Sequence, residues 1–326
     1  MIRHFAPTSI FSEKWLTEYF TSGTRPERIA LMCAGAEELH TWLLDLFGQG
    51  LSQLQTVQKF ELENLAKRMV DCQNGSLARR LRLIAADTEK TDWDEIQSIR
   101  DLLELYFLCK AMKKLNQLPL LLKAELLQIA GMSWRKKDLE EVKKVSDSWI
   151  CLHLEADWLE NLHVNTAWFW GVNKHIFAKV NLYAFRFEPF SHSFKTAQVW
   201  NGELIFFPST VPLNAFVSEN FLAASVQKLP EFNYAQHFEY KLNEQRALNP
   251  IRWEWPVVIP ADELAKDKKT DLKILDKNGA EVNHLMEFAS LDPSLMTFGS
   301  IHFYRLYIKS LIRNGQILDF EVNIKK

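Results

Sequence analysis

The sequence predicts an α+β protein: a helical N-terminal half packed on an antiparallel β-rich C-terminal half. Three observations carry this. Apolar residues recur at helical spacing throughout residues 12–145. Beyond residue 146 the spacing turns to alternation, and 8 of the 11 prolines and 7 of the 11 tryptophans fall there. The Asn-Gly pairs at 201–202, 278–279 and 314–315 each lie between β-prone runs, where that dipeptide suits a tight hairpin. The expected boundary gives a helical domain at 1–146 and a β-rich mixed domain at 147–326.

Taken in order, residues 12–20 form a short amphipathic segment, followed by turn-forming residues 21–26 that include Gly23 and Pro26. A helix is expected over 36–54, with Leu39, Trp42, Leu43, Leu46 and Phe47 on one face. Gly48 and Gly50 weaken it by roughly 1 kcal/mol each if interior. Residues 62–87 read as two helices. Leu62, Leu65, Met69 and Cys72 mark the first, and Leu77, Leu81 and Ile84 the second. Asn74-Gly75 is expected to take the left-handed turn between them, with Ser76 as the next cap.

A long helix over 92–115 is expected to bury Trp93, Ile96, Ile99, Leu103, Tyr106, Phe107 and Leu115, with Thr91 or Asp92 capping its acidic start. Residues 118–130 form another helix, closed by Gly131, and 138–145 a short last one. In the second half, 149–154, 164–170 and 176–187 read as strands. Hairpins are expected between 199–200 and 203–207 and between 306–312 and 316–322. Helices are expected from Phe216 or Glu219 to 229 and over 232–247, and 262–270 reads as a solvated loop or helix end. No internal repeat or low-complexity tract appears.

Composition narrows the function. Hydrophobic residues make up 47% and charged ones 25%, so a large core is expected. Net charge is −2, and it stays balanced when divided: residues 1–146 hold 21 Lys+Arg against 20 Asp+Glu, and 147–326 hold 18 against 21. Neither half is a polycation, which argues against broad electrostatic binding to nucleic acid or anionic lipid. Residues 1–8 lack the basic-then-apolar pattern of a secretion signal, and the apolar run at 118–122 is short and broken by Pro119. Cytoplasm is the expected compartment. Cys33, Cys72, Cys109 and Cys151 stand at least 37 residues apart, which reads as reduced core thiols rather than a disulfide frame or metal knuckle.

Several separated motifs align with a known family. They are Gly35-Ala36-Glu37-Glu38-Leu39, Trp42-Leu43, Asp45-Leu46 and Gly50-Leu51; then Leu65-Ala66, Arg68-Met69-Val70-Asp71, Gln73 and Leu77-Ala78-Arg79-Arg80-Leu81-Arg82. Further on come Leu118-Pro119, Gly131, Val145, Asp147, Trp149 and Thr166-Ala167-Trp168-Phe169-Trp170-Gly171. Leu204-Ile205-Phe206-Phe207-Pro208, Pro212-Leu213, Asn249-Pro250 and Trp253 complete the set. Over roughly residues 35–300 the chain resembles the part of bacterial SWIM zinc-finger family proteins that follows the zinc finger. The family's Cys-x-Cys ligand pair is absent from this sequence, and Cys151-Leu152-His153 alone does not supply the four ligands that zinc needs, so zinc binding is not carried over. The resemblance implies an accessory protein working beside a MoxR-type AAA ATPase or a von Willebrand factor A-type protein.

Candidate site residues are few. Arg79, Arg80 and Arg82 form a guanidinium edge suited to an acidic partner or phosphates, set against a solvated face paired to Glu61, Glu63 or Asp87. Arg135-Lys136-Lys137 and Lys143-Lys144 are read as solvated charge in the same way. Trp168 and Trp170, with Phe169, Trp149 and Trp158, offer an aromatic platform, set against core packing on the helical half. His153 and His163, with Asp157, form a conceivable metal site if a hairpin joins them, set against ordinary hydrogen-bonded histidines. Nucleophile-elbow, phosphate-loop and His-Glu-x-x-His patterns are missing, and Asp92, Asp94 and Glu95 are explained as helix-start acids. No cofactor is expected. The favoured expectation is a non-enzymatic protein-interaction module. A nucleic-acid-binding accessory protein is the alternative, and an unrecognised hydrolase the third.

Overall fold

The computed structural model describes residues 10–49, 59–88, 95–159, 162–186, 188–196, 198–224, 245, 247–252 and 256. Eight further segments between 257 and 323 are described as backbone strands. An α-rich first half is followed by a largely antiparallel β second half, so the protein is α+β. The chain divides into two compact units. One comprises Pro7–Val142 together with Pro208–Thr210; the other is built from Lys143–Phe207 and the chain from Val211 onward.

The helical unit opens with α1 (Glu13–Thr21), whose first turn is capped by the Ser12 hydroxyl accepting from Trp15 N–H at 3.4 Å. Helix α2 spans Arg25–Gln49 and buries Ile29, Met32, Ala36, Leu39, Leu43 and Leu46. It therefore starts eleven residues before the expected 36. Pro26 sits in its first turn, where a missing N–H costs nothing, so this proline opens the helix instead of marking a loop.

Helices α3 (Lys59–Asp71) and α4 (Gly75–Asp87) form the expected pair. Leu62, Leu65, Ala66 and Met69 face Leu77, Ala78, Leu81, Ile84 and Ala85 within the core. Each large aliphatic side chain contributes about 1.5–3 kcal/mol of burial. The turn between them differs from expectation. Gln73, not Asn74 or Gly75, takes the left-handed conformation, with φ 63°. Asn74 N–H reaches back to Met69 O at 2.7 Å and Gln73 N–H to Val70 O at 2.9 Å, the double bond that closes a helix C-terminus. Gly75 is already helical. The Asn74 side chain does not cap α4 but donates to Met32 O at 2.8 Å, pinning the turn to α2.

Helix α5 is Glu95–Met112 and α6 is Leu120–Ala130, with a 3-10 turn at Leu115–Gln117 between them. The buried stripe of α5 is Leu102, Leu105, Leu108, Cys109 and Met112. Leu103 and Phe107 face outward, contrary to expectation. This helix is apolar around most of its circumference, so spacing alone does not choose a face. Gly131 ends α6 at φ 135°. The expected helix at 138–145 is instead a 3-10 turn, Lys136–Leu139, followed by a strand. Ser209 Oγ donates to the buried Glu125 carboxylate, which ties the 208–210 segment to α6.

The second unit is organised by a sheet of order β3-β2-β1-β4-β5, with β6 also on β4. Its strands are β1 (Val145–Leu159), β2 (Leu162–Gly171), β3 (Ile176–Phe185), β4 (Val199–Phe206), β5 (Ala215–Val217) and β6 (Leu222–Ala223). All pairs in it are antiparallel. Asn201-Gly202 is no hairpin turn: it lies inside β4, opposite Ser148 and Asp147. Gly202 has φ 152°, and a Cβ there would run into Asn220 O, so close backbone approach explains the glycine. Strands β5 and β6 replace the helix expected from 216 or 219; the rest of that helix, and all of the 232–247 helix except Gln245 and Ala247, lies outside the described residues.

The remaining strands are β7 (Val257–Pro260), β8 (Glu263–Lys266), β9 (Leu272–Leu275), β10 (Ile301–Tyr304), β11 (Tyr307–Ser310), β12 (Ile312–Arg313), β13 (Gln316–Ile317) and β14 (Phe320–Asn323). They order as β14-β10-β11-β7, β12-β13 and β8-β9, with β10 and β14 parallel. Strand β8 corrects the loop or helix end expected at 262–270. Of the hairpin expected between 306–312 and 316–322, only Ile312–Ile317 and Arg313–Gln316 pair across 314–315; β11 and β14 pair with β10 instead. Asn278-Gly279 lies outside the described residues.

Candidate interaction surface

The motif arginines tie helices together. Arg82 Nε donates to both Glu63 carboxylate oxygens at 3.2 and 3.3 Å, joining α4 to α3. Arg80 Nη1 donates to Glu104 at 3.2 Å, joining α4 to α5. Arg68 on α3 pairs with Glu38 on α2. Arg79 is exposed and also engaged electrostatically. Exposed pairs of this kind contribute about 0–1 kcal/mol each, so they register helices more than they stabilise them. The helix spacing that puts Arg79, Arg80 and Arg82 on one edge also puts them in reach of acids on neighbouring helices.

Those helices meet at a backbone node. A Cβ on Gly35 would lie 2.5 Å from Cys72 Cβ and 2.8 Å from Asn74 Nδ2; one on Gly131 would lie 2.7 Å from Gly75 N. The motif residues Gly35, Gln73 and Gly131, distant in sequence, thus serve one crossing of α2, α4 and α6.

In the second unit Asp147 plays the comparable part. Its Oδ1 accepts from Ser148 N–H, Asn173 N–H and Asn173 Nδ2 at 2.7, 3.0 and 2.7 Å, and its Oδ2 from Lys174 N–H at 2.8 Å. It therefore holds the turn between β2 and β3 against β1. Gly171 leaves the room, since a Cβ there would lie 2.8 Å from Oδ2. Trp149 Nε1 donates to Gly202 O at 3.2 Å beside it.

Trp168 and Trp170 are buried, so neither offers an open stacking surface. They lie on one face of β2 with Phe177 and Leu213. Trp168 Nε1 donates to Glu155 Oε1 at 3.0 Å, and Lys179 Nζ lies 4.8 Å from its ring centroid. The opposite face carries Phe169 against Phe194 and Phe221, with Trp200 stacked on Phe221 at 5.7 Å. Both faces of β2 are core.

His153 and His163 are not brought together. A bulge between Cys151 and His153 places His153 opposite Trp168, whereas His163 sits opposite Trp158. His153 Nε2 is 3.4 Å from Glu155, and His163 stacks on Trp158 at 4.4 Å with planes 2° apart. Among the described residues no three His, Cys, Asp or Glu side chains group as metal ligands. All four cysteines are free thiols. Burial pushes the Cys109 thiol up to about 12 and raises Cys33 and Cys72 as well, which suppresses thiolate chemistry. A depression of ≈ 170 Å³ beside Trp15, Glu18 and Glu141 is smaller than the roughly 300–1,000 Å³ of usual ligand pockets. No helix among the described residues is long and apolar enough to cross a membrane.

Of the residues that do stand out, sequence reasoning names Trp158 only as part of the aromatic platform and does not single out Tyr183 or Phe185. Strand β4 covers β1 only as far as Ile150, so the far half of β1-β2-β3 projects beyond it. At that end Tyr183 and Phe185 are 53% and 49% exposed on one face, and Trp158, aligned with His163 and Ala184, is 54% exposed on the other. Alternation in β3 was legible, but not which side faces water: Ala178, Val180, Leu182 and Ala184 are buried, and on the other side Phe177 is covered while Tyr183 and Phe185 are exposed.

The family model described as a SWIM-associated four-helix bundle domain matches residues 27–130. No curated protein and no solved structure matches the chain. The matched span contains Gly35, Asn74 and the arginine ties of α3 and α4. Residues 27–130 are thus similar to the SWIM-associated bundle domain, in line with the resemblance seen in the sequence.

Proposed function

We propose that the protein is a non-enzymatic interaction module of a multi-protein system, and that the aromatic end of β1-β2-β3 is its partner-binding surface. The observation that carries this is the exposure of Tyr183 and Phe185 on one face, and of Trp158 on the other, of a sheet end that β4 does not cover. Large aromatics supply most of the binding energy where proteins meet, because they bury much area with few rotatable bonds. The engagement of Arg80 and Arg82 with Glu104 and Glu63 favours this end over the arginine edge. The SWIM relation makes a MoxR-type AAA ATPase or a von Willebrand factor A-type protein the first partner to test.

The test is retention of such an ATPase on the immobilised full chain, with Trp158→Ala and Phe185→Ala in parallel. Retention that survives high salt and falls at least tenfold in the double variant is the expected result. Retention unchanged by the double variant removes this surface. Binding only to DNA or RNA, falling steeply with salt, overturns the reading in favour of a nucleic-acid accessory.

A further inference from the structure

Strand β3 is the last strand at its end of the sheet. Partway along, its outer side is covered: Lys179 N–H donates to Leu213 O at 2.8 Å, and Lys179 bridges Asn214. From residue 180 to Phe185, no described residue pairs with it on the side away from β2. In a strand, successive residues direct their N–H and C=O groups to alternate sides. Since the Lys179 N–H points outward, those of Asn181, Tyr183 and Phe185 do too.

Exposed edges are normally guarded by charge, proline or a bulge. Residues 180–185, Val-Asn-Leu-Tyr-Ala-Phe, have neither charge nor proline, and their register with β2 is unbroken. The flanking cations turn to their own rings. Lys179 lies over Trp168, and Arg186 lies over Phe185 at 5.1 Å, with a φ of 53° that ends the strand.

We propose that this edge pairs antiparallel with the same edge of a second copy, about a two-fold axis through Tyr183. The register follows from the backbone. Outward groups sit on 181, 183 and 185, so only those positions can exchange hydrogen bonds, and the centred solution sets Tyr183 opposite Tyr183 and Asn181 opposite Phe185. A second copy fits because this register puts no like charges opposite one another: Arg186 falls opposite Val180, and Lys179 opposite residue 187. Tyr183 and Phe185 are about half exposed. At ~150–250 Å² per aromatic, the four rings bury roughly 400 Å² plus the edge backbone. That is well below the ~1,200 Å² of a permanent interface, so the dimer is weak and exchanges rapidly. The inference goes beyond the partner reading, because the chain alone suffices to test it.

Sedimentation equilibrium of the full 38.1 kDa chain over a wide concentration series reads the outcome directly. The expected result is an average mass rising toward twice the monomer for the native chain and for Asn181→Ala, which keeps its backbone N–H. Asn181→Pro, which removes that outward donor, and Tyr183→Lys, which sets two cations face to face at the axis, are expected to stay monomeric. If Asn181→Pro does not fold, Tyr183→Lys decides, since its side chain is exposed. A native chain that stays monomeric at every concentration overturns the proposal, as does self-association undiminished in Tyr183→Lys. Loss of the dimer in Asn181→Pro with ATPase retention intact separates this edge from the partner surface.

Discussion

Replacing Gly131 with alanine tests the helix crossing at its tightest point. Two costs add. The residue sits at φ 135°, a region that side chains enter only with about 1–3 kcal/mol of strain. The new Cβ would lie 2.7 Å from Gly75 N, 3.1 Å from Ser76 N and 3.2 Å from Asn74 C. All three are backbone atoms, so relief requires α4 to shift against α6, at about 1–3 kcal/mol. The sum is roughly 2–6 kcal/mol, a large share of the ~5–15 kcal/mol that holds a typical domain folded. Gly23→Ala is the matched control. It also has positive φ, at 60°, but nothing lies within 4 Å of its Cβ, so only about 1–2 kcal/mol of backbone cost applies. Urea unfolding followed by far-ultraviolet circular dichroism at 222 nm reads the helices. With a slope of about 1–3 kcal/mol/M, Gly131→Ala should lower the midpoint by about 1–2 M more than Gly23→Ala. Equal shifts for the two variants refute the steric account of the node.

Asp147→Ala strips acceptors from three backbone N–H groups and is expected to destabilise the second unit by about 2–4 kcal/mol; faster amide hydrogen exchange at Asn173 and Lys174 checks it. His40, stacked on Tyr106 at 5.1 Å, has its pKa lowered first by burial and then by Lys113 and Lys110, against a smaller opposing pull from Glu37. Its proton binds more weakly in the folded chain than in the unfolded one, where it titrates near ~6.5. Its contribution is therefore complete above that pH and is lost progressively as pH falls toward the folded value. Urea midpoints at neutral and mildly acidic pH should converge less steeply for His40→Gln than for the native chain; identical slopes would exclude this role.

The helical elements were legible wherever periodicity and punctuation agreed. The α3–α4 pair shows buried Leu62, Leu65, Met69, Leu77 and Leu81 as spaced, and Gly131 closes α6 as a terminal glycine should. Legibility failed where one residue type serves two geometries. Pro26 suits a loop or a helix's first turn, and an Asn-Gly pair suits a hairpin or, as at Gly202, a strand crowded by Asn220 and Phe221. The bulge after Cys151 hid the site more thoroughly. It exchanges the two faces of β1 midway, so a parity counted from Trp149 assigns His153, Glu155 and Asp157 to the wrong side. Arginine roles were half visible: Glu63 was a candidate acid for Arg82, but Glu104 comes from a helix whose rotation the sequence left open.

The helical unit takes Pro208–Thr210 from far along the chain, and Ser209 supplies a hydroxyl to Glu125. A ribosome making this protein releases α1 through α6 well before that hydroxyl exists. Through translation of all four long strands, the nascent bundle must carry Glu125 without this donor. Its final polar pairing is thus timed by synthesis of the second unit, and the first element to emerge is among the last to be finished.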